Sequence, residues 1–223
     1  MTTDNSASAQ VDAAFIDRAS TEIEKFGNKG IIMAAPEVPL KARQKLLELG
    51  KQYGSFCVAS FTTEEINHAS DAGMMSIVDL SAINIDEASA ITGSFVNKAD
   101  TAFTVQSAIQ KLQMNNKKIM ISITSGEQGS WCWDGYKLNH FPAIKTEPIS
   151  TAGAGDAFFS GIICGLALGL HLFEAQQLAS LIAGLSVTSP NTIHKGTDRH
   201  SLYKFLHTSD ITFSNKITKL LED

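Results

Sequence analysis

The chain has 223 residues, 43% of them hydrophobic, and a formal net charge of −5. That suffices for one domain with a large core, and an acidic balance with a pI near 5.7 speaks against nucleic acid or a membrane surface as partner. Cys57, Cys132 and Cys164 lack metal-ligand spacing, the N-terminus has no basic leader, and no apolar stretch reaches spanning length, so buried thiols in a cytoplasmic protein are expected.

Met1 to Gln10 is polar and reads as a flexible tail, leaving residues 11–223 as a single domain. Val11 to Phe26 carries apolar residues at helical spacing and ends at Gly27. Gly30 to Ala35 is a short buried strand, Leu40 to Tyr53 an amphipathic helix closed by Gly54, and Ser55 to Ser60 a second strand. Thr62 to Ala69 predicts a helix with Thr62 or Thr63 as N-cap. Met74 to Leu80 is strand-like, and a helix from Asp86 to Thr92 stops at Gly93. Ala99 to Met114 is a longer helix and Lys118 to Thr124 a strand. Ser130 to Asp134 and Lys137 to Phe141 form a hairpin around Asp134-Gly135. Trp131 and Trp133 share one face of it, which suits packing better than stacking on a base. Helices then follow over Asp156 to Leu170, Phe173 to Ser189, Ser201 to His207 and Lys216 to Leu221. Strand and helix alternating at this spacing predict an α/β fold of three layers, a mostly parallel sheet flanked by helices. Ligands in such sheets sit beyond the carboxyl ends of the strands.

Three segments carry chemistry. In Ser150-Thr151-Ala152-Gly153-Ala154-Gly155-Asp156-Ala157-Phe158, a small-residue loop runs into an apolar helix. Unpaired N–H groups at the positive end of a helix make an anion site. A carboxylate beside a bound anion suits a group that handles a proton. The same residues also fit a tight strand-to-helix turn with Asp156 as N-cap. Asn84 and Glu87 lie one helical turn apart, which suits either a shared cation or a capping box. Thr124-Ser125-Gly126-Glu127-Gln128-Gly129-Ser130 is either a ligand loop or a glycine-built turn between strands.

Thr151 to Phe158 resembles the C-terminal signature of the ribokinase-like (PfkB) family of carbohydrate and nucleoside kinases. Asn84-Ile85-Asp86-Glu87 resembles the family's Asn-x-x-Glu motif, and Thr124 to Gly129 its Thr-x-Gly-x-x-Gly nucleotide loop. The resemblance covers roughly Phe15 to Leu206. It implies an ATP-dependent phosphotransferase acting on an alcohol group of a sugar or nucleoside. Asp156 is then the catalytic base, and Gly153, Ala154 and Gly155 supply the anion hole. By the same resemblance Asn84 and Glu87 place Mg²⁺ through waters, while Thr124, Gly126, Gly129 and Asn191 line the nucleotide.

The match departs from the family in two places. Ser150 stands where the family has an aspartate that helps bind a monovalent cation, so dependence on such an ion is not implied; Ala152 replaces a more usual Thr or Asn. Met1 to Phe61 has none of the glycine-pair or Asp-x-Asn pattern that holds the sugar. The chain therefore resembles the nucleotide-binding, catalytic half of such a kinase, N-terminally truncated and without the lid. A fragment of a longer kinase is the favoured reading. A short form acting as homodimer or with a complementing subunit, and a non-catalytic nucleotide-binding or interaction protein, are its rivals.

Overall fold

The computed structural model describes residues 7–93 and 100–222. Six strands are hydrogen-bonded in chain order into one mixed sheet flanked by helices. By its internal contacts the chain divides into two compact units, residues 1–121 and 122–223.

The first unit contains α1 (Ala13–Asp17), α2 (Ser20–Phe26), β1 (Ile31–Ala34), α3 (Leu40–Gln52), β2 (Phe56–Ala59), α4 (Ile66–Asp71), β3 (Leu80–Asn84), α5 (Ile85–Thr92) and α6 (Thr101–Asn115). β1 and β3 flank β2, both in parallel. Leu47, Val58, Phe61, Ile66, Leu80 and Leu112 are buried between sheet and helices. α3 lies close on the sheet because Gly50 has no side chain: a Cβ there would stand 2.8 Å from Cys57 Sγ and 2.9 Å from Ile32 Cγ1.

Several boundaries differ from the sequence expectation. The helix expected over Val11 to Phe26 is broken at Arg18 and Ala19, although Gly27 ends it at φ 48° as expected. α4 begins only at Ile66; Thr62 instead starts a hydrogen-bonded turn, its carbonyl accepting from Glu65 and Ile66. The strand expected over Met74 to Leu80 is displaced. Met74–Ser76 is a 3-10 turn, and the strand runs Leu80–Asn84. Met74, Met75 and Val78 are apolar because they are buried, not because they are extended. Part of the expected tail, residues 1–6, and Ala99 of the expected helix lie outside the described residues; Ser8–Gln10 is a 3-10 turn.

β4 (Met120–Thr124) leads into the second unit, which contains β5 (Ser130–Trp133), β6 (Leu138–Phe141), α7 (Ala154–Ala167), α8 (Leu172–Ser186), α9 (Arg199–Thr208) and α10 (Asn215–Glu222). β5 and β6 pair antiparallel, with Trp133 opposite Leu138. Residues 134–137 therefore form the connection, and Asp134 Oδ1 closes it by accepting from the Tyr136 and Lys137 amides. Trp131 and Trp133 are half-buried on one face, and Trp131 lies 4.4 Å from the His140 ring across the hairpin, so packing is their role. Phe141, Leu181, Leu185, Leu206, Phe213 and Ile217 form the core. Cys57 and Cys132 are buried thiols, but Cys164 is exposed, against expectation, because it lies on the solvent side of α7. Among the described residues no helix is long and apolar enough to cross a membrane.

Candidate active site

α7 starts two residues earlier than the apolar run suggests, because Ala154 and Gly155 are already helical. Gly153 is the N-cap, at φ 81°, and no side chain caps this end. Asp156 is thus the third helical residue, which excludes the N-cap reading. Its side chain is exposed in the first turn. Of the amides here, Ala154 donates to the Thr151 carbonyl at 3.2 Å. The N–H groups of Gly153, Gly155 and Asp156 find no acceptor among the described residues. Nothing lies within 4 Å of where a Gly155 Cβ would sit, so the backbone is bare to an approaching group.

This helix start is held from two sides. Ile149 and Ser150 both donate to the carbonyl of Val187, just past α8. A Cβ on Gly153 would stand 2.5 Å from the Thr192 carbonyl, so the loop after α8 lies directly against it. Behind the site, α7 packs on α8 through glycine; Cβ atoms on Gly161 and Gly165 would meet Ala179 Cα at 2.5 Å and Ala175 Cβ at 2.7 Å. Two close-packed backbones leave α7 little freedom to shift. Ser150, at the family's aspartate position, brings no charge, and its hydroxyl accepts from Ala152.

Thr124 ends β4 half-buried, and Gly126–Gln128 is a 3-10 turn. The Ser125 amide donates to Gly129, and that of Gly129 to Gly126. Gly129, at φ 83°, has the Phe141 carbonyl and Ala143 amide where a side chain would go, whereas Gly126 faces open space at φ 51°. Both glycines thus satisfy the geometry of a turn, and the exposed face at Gly126 leaves room for a ligand. Asn191 is exposed, next to the Thr192 that covers Gly153.

In the first unit, Asn84 ends β3 and caps α5. Its Oδ1 accepts from the Glu87 amide at 2.9 Å, and Glu87 Oε2 accepts from the Asn84 amide at 2.8 Å, a complete capping box. The other Glu87 oxygen has no donor among the described residues. Burial above all, then the charges of Asp86 and Glu65, push the Glu87 carboxyl up to about 7 against the pull of the Asn84 amide. A carboxylate so short of positive charge suits a cation. No group of three or more metal-binding side chains occurs among the described residues. A single carboxylate oxygen left free beside waters is a donor set that Mg²⁺ accepts.

The sequence marks Thr62 to Glu65 as a helix start and assigns the segment 60–65 no part in a site. Arg43, on α3, is 1% exposed. It pairs with Glu65, donates to the Ser60 carbonyl at 3.1 Å and lies 5.6 Å over the Phe61 ring. Burial would raise the Glu65 carboxyl, but Arg43 and the Thr62 amide more than offset that and hold it below its ordinary value. The Thr62-x-x-Glu65 spacing was the available signal, although it reads first as a helix start.

The fold and sequence have known counterparts. Deoxyribokinase of Salmonella typhi is 26% identical over 177 residues, covering 79% of this chain and 55% of that protein. Among solved structures, ribokinase from Thermotoga maritima superposes with a TM-score of 0.67 at 19% identity, covering 91% of this chain and 63% of the other. Aminoimidazole riboside kinase from Salmonella enterica, solved with aminoimidazole riboside and an ATP analogue, gives 0.66 at 18%, covering 79% and 62%. The chain spans about half the length, or less, of the curated relatives it matches. The family model described as pfkB family carbohydrate kinase matches residues 4–199, and this chain belongs to that family.

Proposed function

We propose that this chain is the nucleotide-binding and catalytic portion of an ATP-dependent phosphotransferase that acts on an alcohol group of a sugar or nucleoside in the cytoplasm. The observation that carries the reading is the start of α7, where bare amides of Gly155 and Asp156 and an exposed Asp156 carboxylate stand together in a member of this family.

Asp156 takes the proton from the acceptor hydroxyl as its oxygen attacks the γ-phosphorus. A new O–P bond forms, the bond between the γ-phosphorus and the β,γ-bridging oxygen breaks, and ADP leaves with that electron pair. The phosphoryl oxygens rest on the amides of Gly153, Gly155 and Asp156, whose orientation is fixed before the reaction. Ala154 contributes its place in the turn, since its own N–H serves Thr151. Thr124, Gly126, Gly129 and Asn191 line the nucleotide. Asn84 and Glu87 would hold Mg²⁺ through waters, and the ion would supply neutralisation of the β- and γ-phosphates.

The test is transfer of labelled γ-phosphate to a panel of sugars and nucleosides in the presence of Mg²⁺. Asp156→Asn should abolish transfer and leave ATP affinity unchanged. Because the sugar-holding pattern is missing from Met1 to Phe61, the assay is run on the chain and on a form extended upstream, and ATP binding without transfer to any acceptor by the extended form would overturn the kinase reading. It would favour a non-catalytic nucleotide-binding module.

A further inference from the structure

The strongest feature outside the residues assigned above is the buried guanidinium of Arg43. Arginine is almost never fully buried unless paired, and here its guanidinium meets Ser60, Phe61 and Glu65, all in the segment 60–65. That segment follows the carboxyl end of β2. Glu65 uses one oxygen for Arg43 and the other for the Thr62 amide at 3.1 Å. Arg43 Nε is buried with no partner, so the arrangement is not optimal for stability. An ion pair in such a place commonly adds no more stability than apolar residues of the same size. Its consequence lies next door. β2 pairs with β3, whose carboxyl end carries Asn84 and leads to Glu87. Glu65 is the N-cap of α4, α4 packs against α5, and α5 carries Glu87, so the Glu65 charge bears on that carboxyl.

We propose that Arg43 and Glu65 are positioning residues for the cation held by Glu87: Arg43 neutralises Glu65, so that the cation is drawn to Glu87 and not shared between two carboxylates. This rests on the reading of Glu87 as a Mg²⁺ residue. Without Arg43, the partly exposed Glu65 carboxylate would stand as a third negative group with Asp86 and Glu87 and compete for the ion. Without Glu65, the buried guanidinium would repel the ion instead.

Opposite signs make the test specific. Mn²⁺ serves as the probe, titrated into the full chain and followed by broadening of the amide resonances of residues 84–88. Arg43→Met should tighten Mn²⁺ binding about three- to tenfold, and Glu65→Gln should weaken it by a similar factor. Arg43→Met/Glu65→Leu should return it close to wild type, and it also guards against a single variant that does not fold. A purely structural pair would destabilise the protein in both single variants and move Mn²⁺ binding the same way in both, or not at all. Either result overturns the proposal while leaving the Glu87 assignment intact. Absence of broadening at residues 84–88 in the wild type, unchanged by Glu87→Gln, overturns both.

Discussion

α5 and α7 each carry a carboxylate in the third helical position, and they begin in opposite ways. At α5 the Asn84 side chain and the Glu87 carboxylate each take an amide, so the end is closed by its own residues. At α7 the N-cap is glycine, no side chain caps, and the Asp156 carboxylate is left exposed. An Asn or Ser cap is worth about a few tenths of a kcal/mol over a glycine cap. α7 forgoes that, and its stability comes from the glycine seam against α8. The difference separates a helix end whose amides are taken by its own side chains from one whose amides are left without them.

The largest break in that comparison is Asp156→Asn. It removes the proton acceptor without filling the anion site, so turnover should fall by about 10²–10⁴ while ATP affinity and melting temperature stay near wild type. Glu87→Gln keeps an acceptor for the Asn84 amide and should affect Mg²⁺ dependence rather than ATP binding. If both substitutions lowered ATP affinity equally, the distinction between the two ends would fail.

Next are the glycines. Gly153→Ala places a methyl against the Thr192 carbonyl in a left-handed backbone, so a loss of about 2–4 kcal/mol is expected in chemical denaturation. Gly93→Ala, at the far end of α5, has a similar φ of 69° but open space, and should cost about 1 kcal/mol. Gly155→Ala acts in the opposite sense. It sits in helix with nothing near it, so the protein should be stabilised by up to about 1 kcal/mol. The same methyl shields the bare amides, and ATP turnover should fall. Stability and turnover moving together at Gly155 would argue against an anion at this end.

Much of this was legible in the chain, for a physical reason. Glycine and capping residues mark where the backbone turns, so the ends at Gly27, Gly54 and Gly93 stand where the sequence places them, while α5 starts at Ile85, one residue before the expected Asp86, with Asn84 in the capping box that was one of its two readings. Burial without periodicity misled at Met74 to Val78, where apolar residues plug the core from a 3-10 turn. The start of α7 was misplaced by two residues because Ala154 and Gly155 read as loop by composition while the helix recruits them. Arg43 could not be found at all. A single arginine on an amphipathic helix reads as a solvated charge, and only tertiary packing brings Ser60, Phe61 and Glu65 around it. The contact of Thr192 with Gly153 is likewise invisible at their spacing in sequence.

The smallest effects lie at the closed end. Asn84→Ala should cost about 1 kcal/mol by opening the box, measurable without any ligand. Glu87 adds a pH dependence of defined sign. Its carboxyl is held at about 7 in the folded chain against 4.5 for the ordinary group. Between those values the folded state binds more protons than the unfolded, so Mg²⁺-free stability should be highest below about pH 4.5 as far as this group is concerned, and decline as pH rises through 7. Because the side chain is partly exposed, the decline should be about 1 kcal/mol rather than the full value of the shift. Glu87→Gln should flatten that limb of the stability profile, and Mg²⁺ with ATP should oppose it in the wild type by favouring the ionised carboxylate. A wild-type profile already flat between pH 5 and 8 would mean that Glu87 is ionised without help, and the contrast between a self-satisfied helix end and one awaiting a ligand would then rest on α7 alone.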